Sequence, residues 1–241
     1  MGRKDSELLN NMLTSQKMYL KAEKKFSENH RYLVHGIDLY KYLIKHEEKI
    51  TKVEKILKLN GLNKTFGTSY ITSQMYLSNW KQKNFAEFQK KFSNLFRVLN
   101  SKKLSKIDIT KKKIKIGFFS PDFKQSHSIT YFIKDLITYL KQTKFETFGL
   151  SLLKTNQHDE TTDKFSNLFD NWFDLGDKSD QEIIDAIQNE NIDILIDLAG
   201  LWSSNRVNIF NTRICPLQIS WLGFNNSTGL KEVDFILADT N

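Results

Sequence analysis

The chain changes its hydrophobic period once. Up to about residue 100, apolar residues recur three and four positions apart: Leu33, Ile37, Tyr40, Leu43 and Ile44, then Ile50, Val53, Ile56 and Leu57, then Phe85, Phe88, Phe92 and Phe96. That spacing lays an apolar stripe along each helix, and no proline precedes residue 121 to break it, so residues 1–100 are expected to form antiparallel helices. No 34-residue repeat keeps its small and aromatic positions here, so a tetratricopeptide-like origin would be a degenerate one. Beyond residue 113, short β-rich runs alternate with amphipathic helices. Strands are expected at 114–120, 145–153, 172–175, 192–199, 217–223 and 233–238. Ile129, Phe132, Ile133, Leu136, Ile137 and Leu140 stripe one intervening helix, and the capping box Ser179-Asp-Gln-Glu182 opens another that runs to about Glu190. Such alternation predicts an α/β protein: a helical amino-terminal region followed by a Rossmann-like parallel sheet, covered on both faces and joined by right-handed crossovers.

The stretch between the two patterns, 101–113, is lysine-rich and lacks apolar spacing, which makes it the expected linker between a helical region, 1–100, and a sheet lobe, 114–241. Charge divides at the same place. The net formal charge of +8 combines +15 over residues 1–113 with −7 over residues 114–241. A basic helical half invites a non-catalytic module that binds acidic protein or nucleic acid. Its lysines, however, are spread among acidic residues rather than clustered with aromatics, the pattern of a solvated helix face.

At 241 residues, 39% hydrophobic and 27% charged, the chain is long enough for one large or two small domains and too polar for a membrane protein. No secretory apolar core stands in the first ten residues, and a soluble, cytoplasmic protein is expected. The single Cys215 excludes an internal disulfide and a thiolate metal cluster. Dinucleotide glycine spacing is missing after the first strand, and no Gly-Lys-Ser/Thr phosphate loop occurs.

Candidate chemistry lies at the carboxyl ends of the strands, where open parallel sheets bind ligands. The loop after the first strand, Ser120-Pro-Asp-Phe-Lys-Gln-Ser-His-Ser128, leads into a helix. If Ser126 or Ser128 caps that helix, His127 stands at its amino terminus, where the dipole favours an anion and a neutral imidazole. The alternative is an idle surface histidine. The loops after the fourth and fifth strands, 200–206 and 223–229, each open on glycine and are rich in small hydrogen-bonding residues, suited to wrapping a phosphate or sugar or to ordinary turns. Asp193 and Asp197 alternate with apolar residues and read equally as a solvated strand edge or as catalysts.

Several of these segments form an ordered set: Ile116-Gly-Phe-Phe-Ser-Pro-Asp-Phe123, His127-Ser-Ile-Thr-Tyr-Phe132, Ile192-Asp-Ile-Leu-Ile-Asp-Leu-Ala-Gly200, Arg213-Ile-Cys-Pro-Leu-Gln-Ile-Ser-Trp-Leu-Gly-Phe-Asn-Asn-Ser-Thr-Gly229 and Val233-Asp-Phe-Ile-Leu-Ala-Asp239. In order and spacing the set resembles the amino-terminal catalytic lobe of the SPINDLY and O-linked N-acetylglucosamine transferase family, glycosyltransferase family 41. Asn79-Trp80 resembles the Asp-Trp segment that ends the helical repeats of that family. The resemblance implies a two-lobed GT-B enzyme whose helical repeats recognise an acceptor protein, and inverting transfer of a sugar from a nucleotide diphosphate to a Ser or Thr hydroxyl. It implies no cofactor or metal, the nucleotide sugar being substrate.

By the same resemblance, His127 lies beside the reacting groups, Gly200 opens a substrate-side loop, the backbone of Leu222, Gly223 and Phe224 faces the sugar diphosphate, and Thr228 with Gly229 forms the turn beyond. The chain departs from the family in four places. One extra residue precedes His127, Leu201-Trp202 replaces the usual His-Thr or Tyr-Thr, Ile214-Cys215 stands where relatives have Pro and Ala, and Phe224-Asn225 follows Leu-Gly. The sequence stops at Asn241, where the family continues into a second lobe carrying the uridine pocket. A half-enzyme, inactive alone and in need of a second-lobe polypeptide, is therefore expected, acting on a protein with N-acetylglucosamine or fucose as the sugar.

Overall fold

The computed structural model describes residues 3–77, 82–110, 112–125, 127–202, 206–224 and 226–239. Asn79 and Trp80, which carry the resemblance before the lobe, lie outside the described residues. Contacts divide the chain into two compact units, Met1–Phe88 and Gln89–Asn241.

The first unit is helical: α1 (Arg3–Phe26), α2 (His30–Tyr42), α3 (His46–Asn60), α4 (Lys64–Gln74) and the start of α5 (Gln82–Ser93). Asn29 and Asn63 cap α2 and α4, each side-chain oxygen accepting from the backbone amide three residues on. The stripe read from the sequence forms the core, with Leu33, Ile37, Val53 and Ile56 buried together. Ile44 departs from that reading. It is 76% exposed with φ of 56°, because it sits in the turn after α2 rather than on a helix. The lysines are not all solvated either: Lys52 is buried, ion-paired with Glu23, and its ammonium stands 5.7 Å and 5.8 Å from the Tyr19 and Tyr32 ring centres.

The second unit holds a six-stranded, wholly parallel sheet: β1 (Ile114–Ser120), β2 (Phe145–Ser151), β3 (Asn171–Asp174), β4 (Ile194–Asp197), β5 (Leu217–Trp221) and β6 (Phe235–Leu237), in the order β3-β2-β1-β4-β5-β6. The chain winds outward one way from β1 and the other way from β4, which puts the topological switch point between those two strands. Between strands come α6 (Ser128–Leu140), α7 (Glu160–Leu168), α8 (Asp180–Asn189) and the single turn α9 (Val207–Phe210). One sheet face, through Ile116, Phe118, Ile196 and Leu198, packs on Ile129, Ile133 and Ile137 of α6 and Phe165 of α7. On the opposite face Phe119 meets Phe210 of α9 edge to face, with centroids 5.2 Å apart, and α9 packs on α8. Both faces are covered, as the near-continuous apolar runs of β1 and β4 require.

Ser179 caps α8 in a reciprocal box with Glu182, as its sequence predicts. Residues 97–102 are not free: the Arg97, Leu99 and Lys102 amides donate to Asn208, Thr212 and Gln188. This end of the lysine-rich stretch is thus bound to the sheet unit.

An ion cluster fixes the approach to β6. Arg213 donates through Nη1 and Nη2 to both oxygens of Asp234 and through Nε to Glu232. Asp234 also accepts the Gln218 amide, and its own amide returns to the Gln218 carbonyl. The Arg213 guanidinium, seconded by that amide, holds the Asp234 carboxyl below the usual aspartate range. Because the folded value is depressed, this stabilisation is full above the unfolded value of about 4 and is lost as pH falls through the lower folded one. Asp234→Asn is expected to cost about 1 kcal/mol at neutral pH and to flatten the stability profile in that acid window, read by urea unfolding at several pH values. An unchanged acid profile in the variant would exclude the ion cluster as its source.

Candidate active site at the switch point

The loops after β1, β4 and β5 emerge side by side, since these three strands are consecutive in the sheet. Asp197, the last residue of β4, is fully buried. Its Oδ1 accepts the Ala199 and Gly200 amides at 2.9 Å and 3.0 Å, and Oδ2 accepts Gly200 again at 3.1 Å. The carboxylate turns the chain directly at the strand end, where Gly200 adopts φ of 61°. Asp193 is likewise buried and accepts the Lys115 amide. Neither is a solvated strand edge: both carboxylates brace backbone.

The β5 loop leans on the β4 loop. Leu222 has φ of 70°, and the Gly223 amide donates to the Trp221 carbonyl at 2.9 Å, a γ-type turn at the end of β5. A Cβ on Gly223 would overlap the Leu198 carbonyl, and one on Gly200 would overlap the Phe224 side chain. Trp202 Nε1 donates to the Gly223 carbonyl at 2.7 Å, and its ring meets Phe224 edge to face. Gly200, Gly223 and Phe224 are therefore brought together in direct contact. Phe224 is 2% exposed, so it offers a ligand only backbone. Asn225 is outside the described residues.

Thr228 is buried with its hydroxyl accepting the Leu230 amide, and Gly229, with φ of 67°, lies against Gln89, whose amide nitrogen donates to the Ser227 carbonyl. Both shape the turn that carries the β5 loop.

His127 stands on the β1 loop, one strand over. His127 itself occupies the cap position, with its carbonyl accepting from Thr130 and its side chain making no cap bond; Ser128 is the first helical residue, and Ser126 lies outside the described residues. The histidine nonetheless lies at a helix amino terminus. Its Nε2 is 3.7 Å from Asp122 Oδ2, and its Nδ1 is buried without a hydrogen-bond partner. The loop before it is anchored toward α7, where Thr162 donates to the Phe123 carbonyl and the Gln125 amide to Asp159. Among the described residues no group of three or more His, Cys, Asp or Glu is placed to hold a metal ion. Cys215 is buried, and its thiol is pushed up in pKa by burial, so it offers no ready nucleophile.

The sequence reading named Asp197 without settling its role and did not make Asp122 or Trp202 part of this edge. For Asp197 the available signal was an acidic residue near the end of a predicted strand, three residues before a loop glycine.

This arrangement matches known proteins. The family model described as Glycosyl transferase family 41 matches residues 90–241. A protein of Arabidopsis thaliana, named a probable UDP-N-acetylglucosamine–peptide N-acetylglucosaminyltransferase SPINDLY, is 31% identical over 134 residues, which is 54% of this chain and 14% of that protein. The UDP-N-acetylglucosamine–peptide N-acetylglucosaminyltransferase of Caenorhabditis elegans is 26% identical over 129 residues, 53% of this chain and 11% of its own length. In fold, the chain is similar to a solved mutant of the O-GlcNAc transferase of Thermobaculum terrenum, with a TM-score of 0.76 at 20% identity over 95% of this chain and 44% of that one. The chain thus spans less than a quarter of these curated relatives and under half of the solved one. With a family model that matches residues 90–241, more than half of its length, the chain belongs to glycosyl transferase family 41.

Proposed function

We propose that this chain forms the acceptor-side half of a protein O-glycosyltransferase that moves N-acetylglucosamine from its uridine diphosphate donor to Ser or Thr hydroxyls of a cytoplasmic protein, without a metal. The observation that carries the reading is the switch-point edge, where Gly200 and Gly223 have no room for a Cβ of their own and the β4 and β5 loops are locked against each other. In glycosyl transfer, positive charge grows on the sugar ring and negative charge on the departing diphosphate. The α6 amino terminus favours the anion without reorganising during the reaction. His127, with Nδ1 unpartnered beside that terminus, accepts or relays the acceptor hydroxyl proton. The helical residues 1–100 hold the acceptor protein, and a second lobe supplies the rest of the nucleotide pocket.

The test is a transfer assay with radiolabelled UDP-N-acetylglucosamine, and GDP-fucose in parallel, on an acceptor protein. The 241-residue polypeptide is expected to be inactive alone and active with a second-lobe polypeptide, with His127→Ala lowering that rate by about 100-fold. Transfer at an enzymatic rate by the polypeptide alone would overturn the half-site reading, and no transfer from either donor with the second lobe present would overturn the transferase.

A further inference from the structure

We infer that Trp202 is a stacking plate for the hexopyranose ring of the donor, an inference that rests on the transferase reading and deepens it. The described tryptophans differ sharply in setting. Trp172 and Trp221 pack against the apolar core of the sheet unit, whereas Trp202 is 45% exposed in the loop after β4, at the switch-point edge. Its exposure is not looseness. The indole N–H is committed to the Gly223 carbonyl at 2.7 Å, and its ring stands against Phe224 at 82°, centroids 6.2 Å apart, with Phe224 itself buried beside Gly200. An aromatic ring has only two side-chain torsions, and here a hydrogen bond and a buried ring hold them, so the indole is set before any ligand arrives.

A rigid apolar surface beside polar loop groups is the makeup of a sugar site. The chair of a hexopyranose offers C–H groups on its faces and hydroxyls around its rim. The first suit an indole face, and the second suit polar groups of the loops around it. Gly223 binds the indole through its carbonyl and belongs to the turn assigned above to the sugar diphosphate. The plate therefore adjoins the place where the sugar is expected. A Trp that merely braced the two loops would need its N–H bond but no exposed face.

The full chain is titrated with methyl β-N-acetylglucosaminide, following the Trp202 indole cross-peak and the saturation transferred to each sugar proton; W202F and W202A are compared. Binding is expected to shift the Trp202 peak and to saturate the C–H protons of one ring face. W202F, which keeps an aromatic face but loses the N–H bond, retains that pattern, while W202A weakens binding by about tenfold. The remaining indole peaks report that each variant is folded. Equal sugar binding by W202A and wild type, no binding by wild type, or perturbation of the indole by uridine diphosphate but not by the sugar would each overturn the plate. Transfer on complementation with an unperturbed indole removes the plate alone; sugar stacking without any transfer removes the transferase and leaves the plate.

Discussion

Gly223→Ala is expected to destabilise the sheet unit by about 3 kcal/mol or more, and it should do so through one added methyl group. The reason is what surrounds the position. The new Cβ would overlap the Leu198 carbonyl and lie 3.2 Å from Ala199 Cα, all backbone just past the end of β4. A flexible side chain would swing aside, but a main-chain carbonyl moves only if the loop moves, and that loop is pinned by Asp197. Gly117→Ala, in the same unit, is the control. Its Cβ would meet only the ends of the Leu150, Ile192 and Leu195 side chains, which can shift aside, so about 1 kcal/mol is expected. Urea unfolding followed by tryptophan emission is weighted to the sheet unit, which contains Trp172, Trp202 and Trp221 of the four tryptophans. Equal costs for the two substitutions would mean that the β4 and β5 loops are not in contact.

The sheet was legible in the sequence because its strands are short apolar runs with clear ends. The first strand was expected at 114–120 and forms there; the Ser179 box starts a helix because serine and glutamate three apart bond each other's amides. Helix α7 was not anticipated. Only Phe165 and Leu168 of its nine residues are apolar, too few for a period, and its start depends on Asp159, an ordinary loop residue until its carboxylate is seen capping Thr161 and Thr162. At the site, the family resemblance picked out the loops but not their mutual contact. Whether Asp197 faces solvent or backbone depends on which side of the strand end the next loop turns, and strand alternation does not encode that. Nor does a Gly-Phe pair tell whether the phenylalanine is offered to a ligand; Phe224 is buried because Gly200 leaves room for it, and that fact joins residues 24 positions apart.

The second large effect is expected at Asp197. Asp197→Ala leaves the Ala199 and Gly200 amides without the carboxylate that they share, in a place closed to water, and hydrogen bonds to a charged acceptor contribute about 1.5–3 kcal/mol each with part of the loss recovered by relaxation. A net cost of about 3 kcal/mol is the expected result. Asp197→Asn keeps one oxygen at the Oδ1 position, which accepts both amides, and gives up the second bond to Gly200, so a smaller cost of about 1 kcal/mol is expected there. Amide hydrogen exchange separates a local from a global effect. The two amides should lose about 100-fold in protection in the alanine variant, while β1 and β2 lose much less, because the carboxylate holds the loop rather than the sheet. Uniform loss across all strands would instead place Asp197 among the core determinants of the fold. A local loss would tie the shape of the substrate edge to one buried carboxylate, since Gly200, Phe224, Gly223 and Trp202 form a single chain of contacts that begins at the turn it holds.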